Sequence, residues 1–262
     1  LVGSEMCIRD SSISLCSMKK NYSPWLHQLS DNRVHERLQA DIETNVAIVG
    51  AGIAGISTAF FVLKHTNKDV VLIDRFKLAH GATGHNAGYV ASYFERGFSS
   101  LVEEFGLSLA TAGQKEVEDA WELLDEMYTE AGLSIPFSRF IGHAGLSTTD
   151  QVWLHLENNF ARREGGLTTE KITIARSVSF LKQIPEKYSG LYKIAPHTDI
   201  LSVLETDVQN YIALLSYQKG CINSALFCEQ VLLYLSRTYP KRFRLYEHTP
   251  ICLLYTSDAA DE

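Results

Sequence analysis

Two short apolar runs flank a glycine-rich turn and a helix-like segment near the start of this 262-residue chain. Val46–Val49 predicts a buried strand, Ile53–His65 predicts a helix of small and apolar residues, and Val70–Ile73 predicts a second strand. The turn between the first strand and the helix has the sequence GAGIAG. A strand, helix and strand within about 30 residues form one βαβ unit, which predicts an α/β domain built on a parallel sheet.

The glycines of this turn, Gly50, Gly52 and Gly55, meet three separate demands of dinucleotide binding. The first permits a tight turn, the second lets the backbone approach a pyrophosphate, and the third lets the helix pack closely on the strand. The helix N-terminus stabilises the negative charge of phosphates. Asp74 ends the second strand where a ribose-binding carboxylate is expected, and a carboxylate there disfavours NADP. The alternatives are a glycine turn without a ligand and a solvated acid at Asp74.

A second glycine-rich stretch, GATGHNAG, begins at Gly81. Gly81, Gly84 and Gly88 lack side chains, so a flat ring system can approach the backbone there. With Asp74 and Arg75 before it, the stretch resembles the FAD-dependent oxidoreductases of the D-amino-acid oxidase superfamily, which includes glycine, sarcosine and glutamylputrescine oxidases. Those proteins carry a loop such as GASGRNGG or GATGRNAG that runs beneath the flavin.

The resemblance implies a Rossmann-like FAD-binding domain, interleaved with part of an α+β substrate domain in a truncated chain. It also implies oxidation of a C–N bond of an amino acid or secondary amine, with hydride transfer to FAD. In the phrase YEHTPI, Ile251 matches a family residue that contacts adenine through its backbone. The residues that the resemblance assigns to FAD are Gly50, Ala51, Gly52, Ile53, Ala54, Gly55, Asp74, Arg75, Ala82, Thr83, Gly84, His85, Asn86, Ala87, Gly88 and Ile251.

Three functions stay open at the level of the sequence. The first is the amine or amino-acid oxidoreductase, and the second is an FAD-dependent dehydrogenase of another substrate class, such as a hydroxy acid or glycerol phosphate. The third is a non-catalytic FAD-binding subunit. The family's substrate-binding side chains mostly lie beyond the matching segment, so the resemblance assigns no catalytic residue. It also leaves the substrate, the electron acceptor and the oligomeric state open, and it implies that this segment alone is inactive.

His85 stands where most of the resembling sequences have arginine. Another branch, resembling dimethylglycine and sarcosine dehydrogenases, carries a phrase like GTTWHAAG, whose histidine binds FAD covalently and falls on His85 without gaps. A neutral imidazole is a competent nucleophile near physiological pH. Gly84 and Asn86 instead match the non-covalent branch. Covalent attachment, a non-covalent contact near the flavin or pyrophosphate, and a solvent-facing position therefore all stay open.

The two ends of the chain are related to each other at the nucleotide level. One reverse translation of CLLYTS, which begins at Cys252, has a reverse complement that encodes MCIRD, which begins at Met6, in a shifted frame. Both ends resemble the translation of a transposon-based sequencing-library adapter, and two natural tails are the alternative. We therefore expect residues 1–11 and 252–262 to be artefact, and the rest to be a fragment with Met18 as a candidate start.

Net charge, cysteine content and the length of the apolar runs limit the partners, metals and cellular location that we expect. The excluded ends hold one of the 24 basic and five of the 31 acidic residues, which leaves a net charge of −3. So mild a charge favours neither a polyanionic partner nor an acidic tail, and no nucleic-acid partner is expected. Cys16, Cys221 and Cys228 remain, in no disulfide or metal-ligand pattern, so no metal is expected. Without a membrane-length apolar run or a signal-peptide core, we expect a cytoplasmic protein that acts on a small-molecule amine or amino acid.

The remaining chain predicts alternating helices and strands. Helices are predicted at 99–131 (with a break or close packing at Gly106 and Gly113), from a cap within residues 148–150 to about Arg163, and at 224–237. Strands are predicted at 136–146, around Ile172 and Ile174, at 211–217 and at 242–247. We expect an N-terminal arm at 12–44, an FAD-binding domain formed by 45–95 and 223–251, and helices with a partial substrate domain at 96–222.

Overall fold

The computed structural model describes residues 23–30 and 32–252. Met18, Cys16 and nearly all of the expected adapter-derived ends lie outside these residues. The chain divides into two compact units. The first contains the described residues up to Gly88, residues 127–136 and the described residues from Ile222 onward. The second contains residues 89–126 and 137–221.

The first unit is built on a parallel three-stranded sheet. In the order in which they pair, its strands are β1 (Val46–Val49), β2 (Val70–Ile73) and β8 (Phe243–Tyr246). Its helices are α1 (Ile53–His65) and α6 (Ser224–Thr238). The strand–helix–strand prediction for residues 46–73 is confirmed in its element types and bounds. The returning helix and strand are confirmed as well, because β8 pairs with β2 in parallel.

The core of this unit follows from the apolar spacing of its two helices. Ile56, Ala59, Phe60 and Leu63 recur at three- and four-residue intervals on α1 and are buried. Helix α6 packs against α1 and buries a matching face, on which Phe227 is fully enclosed. Each of the buried Ile, Leu and Phe side chains contributes about 1.5–3 kcal/mol on burial, so the contact between the two helices is a main source of this unit's stability.

The arm before β1 belongs to the folded first unit. A 3₁₀ turn at Leu26–Gln28 begins its described part. Further along, Leu38 packs on the sheet against Val71, Ile73 and Tyr246. The sequence indicated an arm preceding the fold because its polar residues and scattered aromatics show neither helical nor strand periodicity. Its order comes from tertiary contacts.

The second unit contains a mixed sheet with both antiparallel and parallel strand pairs. Its strands are β3 (Tyr89–Val90), β4 (Phe137–Leu146), β5 (Lys171–Ala175), β6 (Tyr192–Ala195) and β7 (Ala213–Ile222). The strand order is β3–β7–β5–β6, and β4 also pairs with β7. Its helices are α2 (Phe98–Phe105), α3 (Leu107–Ala131), α4 (Thr149–Glu164) and α5 (His197–Val203). The sequence prediction started β7 at Tyr211 and ended it at Tyr217, whereas the strand runs from Ala213 to Ile222.

Local signals set the helix boundaries of this unit. Gly106 has a φ of +77° and separates α2 from α3, which confirms the predicted break. The prediction for Gly113 is wrong, because α3 continues through it and a Cβ there would approach only Phe94 Cζ, at 3.9 Å. Thr148 caps α4, which confirms the cap predicted at residues 148–150. The reciprocal capping box with Gln151 was not predicted.

The unit boundaries differ from the predicted domain boundaries at two places. Residues 89–95 group with the second unit, since β3 pairs with β7. Residues 127–136 group with the first unit, where Tyr128 packs near Phe227 and Ser134 donates to Gln230 at 2.9 Å. Both shifts arise from pairing and packing partners that lie far away along the chain.

Candidate functional site

The glycine turn after β1 forms an open cradle at the N-terminus of α1. Gly50 has a φ of +100°, and a Cβ built there would meet nothing within 4 Å. A Cβ on Gly52 would lie 2.8 Å from Thr83 Oγ1, and a Cβ on Gly55 would collide with the carbonyl oxygen of Gly50. The third glycine therefore has the close-packing role that the sequence predicts.

Asp74, which directly follows β2, is hydrogen-bonded to the glycine turn. Its Oδ2 accepts a hydrogen bond from the Ala51 amide at 2.7 Å, and its Oδ1 accepts one from the Phe76 amide at 2.7 Å. Its backbone N–H donates to Tyr246 at 2.9 Å. The carboxylate thus fixes the glycine turn and retains lone pairs for a ligand hydroxyl.

A cavity of about 450 Å³ opens beside this carboxylate. Ile251 lines it from the segment after β8, together with Val49, Gly50, Asp74, Arg75 and Gly81. The guanidinium of Arg75 is stacked 4.8 Å from the centre of the Phe76 ring. The structure therefore brings together the glycine turn, the strand-end acid and the late apolar residue, which are separated by up to about 200 residues in the sequence.

The GATGHNAG stretch folds back onto the N-terminus of α1. Residues Ala82–Gly84 form a 3₁₀ turn, and the nearly buried Thr83 accepts a hydrogen bond from the Ile53 amide at 2.9 Å through Oγ1. This contact anchors the second glycine-rich segment to the first. The sequence did not predict it, because a threonine between glycines carries no signal that it will accept from a distant helix.

Two glycines of this loop face protein atoms. A Cβ on Gly84 would lie 2.5 Å from the Ala79 carbonyl oxygen and 2.5 Å from the Leu26 side chain. Gly88 has a φ of +71°, and a Cβ there would lie 2.6 Å from the Ile222 carbonyl oxygen. Close internal packing thus requires glycine at both positions, and an open face is left only at Gly81.

His85 and Asn86 have different surroundings within the loop. His85 is exposed, and its Nδ1 lies 2.9 Å from the carbonyl oxygen of Gly81. A carbonyl oxygen can only accept, so Nδ1 is the donor in this contact. The amide nitrogen of Asn86 donates to the Thr83 carbonyl at 2.8 Å and to Ser224 at 3.1 Å, and its oxygen accepts from the Gly88 amide at 2.7 Å. Asn86 therefore fixes the shape of the loop.

A fully buried carboxylate, Glu247, lies directly after β8 and was missed in the sequence. It accepts hydrogen bonds from Arg33 and His35 of the arm and, at 2.6 Å, from the Leu78 amide. Burial raises the pKa of Glu247, but the hydrogen bonds from Arg33, His35 and Leu78 outweigh it, so the pKa is lowered from its ordinary value. An acid next to a buried strand end was the available signal, but its partners lie some 200 residues away.

Comparison with known proteins identifies the family to which the chain belongs. Residues 45–236 match the sequence model of the family described as DAO, FAD dependent oxidoreductase. The chain belongs to this family. The matched segment begins just before β1 and ends within α6, so it includes the glycine turn, Asp74 and the whole GATGHNAG loop of the FAD-dependent oxidoreductase.

Solved structures support the same fold. The chain is similar to L-amino acid deaminase from Proteus myxofaciens, with a TM-score of 0.51 and 16% identity over 82% of this chain and 40% of that chain. It is also similar to FAD-bound L-alpha-glycerophosphate oxidase from Mycoplasma pneumoniae, with a TM-score of 0.50 and 15% identity over 79% of this chain and 45% of that chain. At these identities the likeness concerns the fold. The chain spans less than half the length of these proteins.

One curated relative is similar over a shorter stretch. It is a Bacillus subtilis (strain 168) protein provisionally described as Rieske 2Fe-2S iron-sulfur protein YhfW. The identity is 32% over 93 residues, which are 34% of this chain and 18% of that protein. Since most of that protein is not covered, the similarity says nothing about an iron–sulfur centre here.

The residues present fit FAD, the cofactor in the family's description. The open Gly50 turn, the braced Asp74 carboxylate and the cavity lined by Ile251 form a cradle that matches the polar and flat parts of an adenine dinucleotide. Among residues 23–30 and 32–252, no cluster of His, Cys, Asp or Glu side chains could hold a metal ion. Within the same residues, no helix has the length and apolar character to cross a membrane.

Proposed function

We propose that the whole protein oxidises a C–N bond of an amino acid or secondary amine, as an FAD-dependent oxidoreductase of the cytoplasm. The observation that carries this proposal is the GATGHNAG loop, which is attached to the α1 N-terminus by the hydrogen bond from the Ile53 amide to Thr83. A generic dinucleotide cradle does not need such a second loop. Its sequence resembles the flavin loop of the amine-oxidising branch of this family. When bound, FAD supplies the electron sink that accepts the hydride.

Each part of the cradle has a proposed task toward the cofactor. The α1 N-terminus from Gly52 to Gly55 would bind the pyrophosphate through backbone N–H groups and the helix dipole. The Asp74 carboxylate would accept from a ribose hydroxyl, and the backbone of Ile251 would contact the adenine. The loop from Ala82 to Gly88 would lie under the flavin. These tasks bind and orient the cofactor.

Substitution of Asp74 tests the cofactor part of this proposal. We expect Asp74→Asn to weaken FAD binding by the full-length protein at least tenfold, on the order of one charge-assisted hydrogen bond. Asp69→Asn is the matched control, because Asp69 is an exposed acid just before the same strand. Isothermal titration of the apoprotein with FAD measures both. Equal affinities for the two variants would contradict the ribose role of Asp74.

A second function has a specific observation in its favour. One of the two solved structures described above is a glycerophosphate oxidase, at a TM-score of 0.50. An FAD-dependent dehydrogenase of a hydroxy acid or of glycerol phosphate would need the same cofactor cradle. A non-catalytic FAD-binding subunit would need it as well.

Matched substrates separate these functions. The full-length, FAD-loaded protein is mixed without oxygen with alanine or lactate, which differ only in an amine or a hydroxyl, and with sarcosine or glycerol 3-phosphate. We expect flavin bleaching with alanine or sarcosine. Bleaching only with lactate or glycerol 3-phosphate would favour the second function. A bound flavin that none of a broad set of amines and alcohols reduces would favour the non-catalytic subunit.

A further inference from the structure

The N-terminal arm contacts the GATGHNAG loop at every second residue. Ser23 Oγ donates to the Gly84 carbonyl, and Trp25 Nε1 donates to the Asn86 carbonyl at 2.6 Å. The Trp25 ring lies against Gly88, where a Cβ would be 2.9 Å from it. Ser23 is buried in this contact. The arm therefore covers one side of the loop along its whole second half.

The residues between the two glycines of this contact are exposed. His85, Asn86 and Ala87 are exposed, whereas Gly84 and Gly88 are buried. Leu26 and Trp25 of the arm pack on these two glycines, so the arm buries the glycines and leaves the side chains between them accessible. A loop without the arm would lose the two hydrogen bonds to its backbone carbonyls and the ring packed on Gly88.

The start of α6 holds the loop from a second direction. Ser224 Oγ donates to the Thr83 carbonyl at 2.6 Å, and the Asn86 side chain donates to Ser224 at 3.1 Å. Asn223 caps the helix at this point by accepting from the Ala225 and Leu226 amides. The loop thus lies between the arm and a helix terminus.

Two buried or partly buried carboxylates hold the arm in place. Glu229 on α6 accepts from the Ser30 amide at 2.9 Å and from Ser30 Oγ at 3.0 Å. Glu247 accepts from Arg33 at 2.6 Å and from His35. The arm is therefore attached at both its middle and its end, and its first described residues rest on the loop.

We propose that Ser23 and Trp25 are positioning residues for FAD: by fixing the backbone carbonyls of Gly84 and Asn86, they hold the flavin loop in its binding conformation. This inference rests on the proposed FAD site. The tryptophan acts through the loop, which the Ile53–Thr83 hydrogen bond ties to the α1 N-terminus. A change at Trp25 therefore alters cofactor binding without a direct contact to the glycine turn.

Conservative variants of the full-length protein test this role. Trp25→Phe keeps a ring against Gly88 and removes the donor to Asn86, and Ser23→Ala removes the donor to Gly84. We expect each to weaken FAD binding by about three- to tenfold, the effect of one backbone hydrogen bond. We also expect a changed visible circular dichroism of the bound flavin and faster hydrogen exchange at residues 81–88 of the apoprotein.

Matched controls separate positioning from general destabilisation. Val34→Ala alters an arm residue that is 85% exposed and should leave FAD affinity, dichroism and exchange unchanged. Trp153→Phe changes a tryptophan packed on Phe180 and Tyr188 in the other unit and should lower the apoprotein melting temperature alone. Unchanged loop exchange and dichroism in both Trp25→Phe and Ser23→Ala would overturn the proposal.

The same experiment distinguishes failure of the proposed function from failure of this inference. If the wild-type full-length protein binds no FAD, the proposed function is contradicted. Exchange at residues 81–88 still reports whether the arm fixes the loop, since it is measured on the apoprotein. Normal FAD binding with insensitive loop exchange in the two variants leaves the function standing and contradicts the inference alone.

Discussion

At the scale of single residues, the Gly55 position leaves no room for a side chain beyond hydrogen. A Cβ there would collide with the Gly50 carbonyl oxygen and lie 3.2 Å from Leu72 Cδ1. We expect Gly55→Ala to lower the free energy of unfolding by about 3 kcal/mol, because the helix must move off the sheet. Chemical denaturation of the purified protein measures the change.

A second glycine provides the control for this substitution. Gly113 lies inside α3, and a Cβ there would approach only Phe94 Cζ, at 3.9 Å. Gly113→Ala should raise the free energy of unfolding by about 0.5–1 kcal/mol, because alanine favours the helix. Equal effects of the two substitutions would show that steric contact with the Gly50 turn is not the reason for Gly55.

His85 gives a second prediction at this scale. Gly84 and Asn86 match the non-covalent branch of the family, so we expect acid precipitation of the full-length holoenzyme to leave the flavin in the supernatant. Covalent attachment would require Nε2, since Nδ1 donates to the Gly81 carbonyl. Flavin fluorescence in the pellet that disappears in His85→Arg would show attachment at this residue.

The candidate site could be predicted from the sequence only in part. The three glycines and Asp74 follow a spacing that geometry dictates, and the structure brings them together. The hydrogen bond from Ile53 to Thr83 and the burial of Glu247 were not predictable, because they depend on partners brought together by folding. The same holds for Gly84 and Gly88, whose neighbours Leu26 and Ile222 are distant in sequence.

At the scale of elements, Glu247 links the arm to the end of β8. Its pKa is lowered from 4.5 in the folded protein, so its contribution to stability is present above that value. The contribution is lost as the pH falls through the lowered pKa. We expect Glu247→Gln to lower the free energy of unfolding by about 2–3 kcal/mol at neutral pH, and by less at about pH 3.

Denaturation curves of wild type and variant at the two pH values measure this difference. Glu36→Gln is the control, because Glu36 is an exposed acid of the same arm. It should show little effect at either pH. A Glu247→Gln effect that stays constant on acidification would contradict the ionised state of this carboxylate in the fold.

Elements whose apolar residues recur with a clear periodicity were predicted well, and elements without such periodicity were not. Helix α1 and strands β1 and β2 have continuous apolar faces, and Thr148 carries a capping signal that fixes the start of α4. The sequence of the arm has neither helical nor strand periodicity. Its residues are ordered instead by hydrogen bonds to Glu229 and Glu247. Local patterns cannot reveal such contacts.

At the scale of the whole molecule, the first unit has an apolar surface on β1. Val49 is 53% exposed, and among the described residues β1 pairs only with β2. We expect the 262-residue polypeptide to self-associate and to show no turnover with any amine. Ala47→Lys, at an exposed position of β1 outside the cavity beside Asp74, should reduce association in light scattering with little loss of stability. A monodisperse, active polypeptide would contradict this expectation.

The contacts of the arm also determine when the arm can become ordered during synthesis of the chain. Ser30 bonds to a residue 199 positions later, and Arg33 to one 214 positions later. At bacterial or eukaryotic rates of translation, the arm therefore waits roughly 10–40 s after emerging before either carboxylate exists. We therefore expect the arm to become fixed on the GATGHNAG loop only after β8 has been made. On the proposed role of the arm, the late segment of the polypeptide would then set when the chain takes up its cofactor.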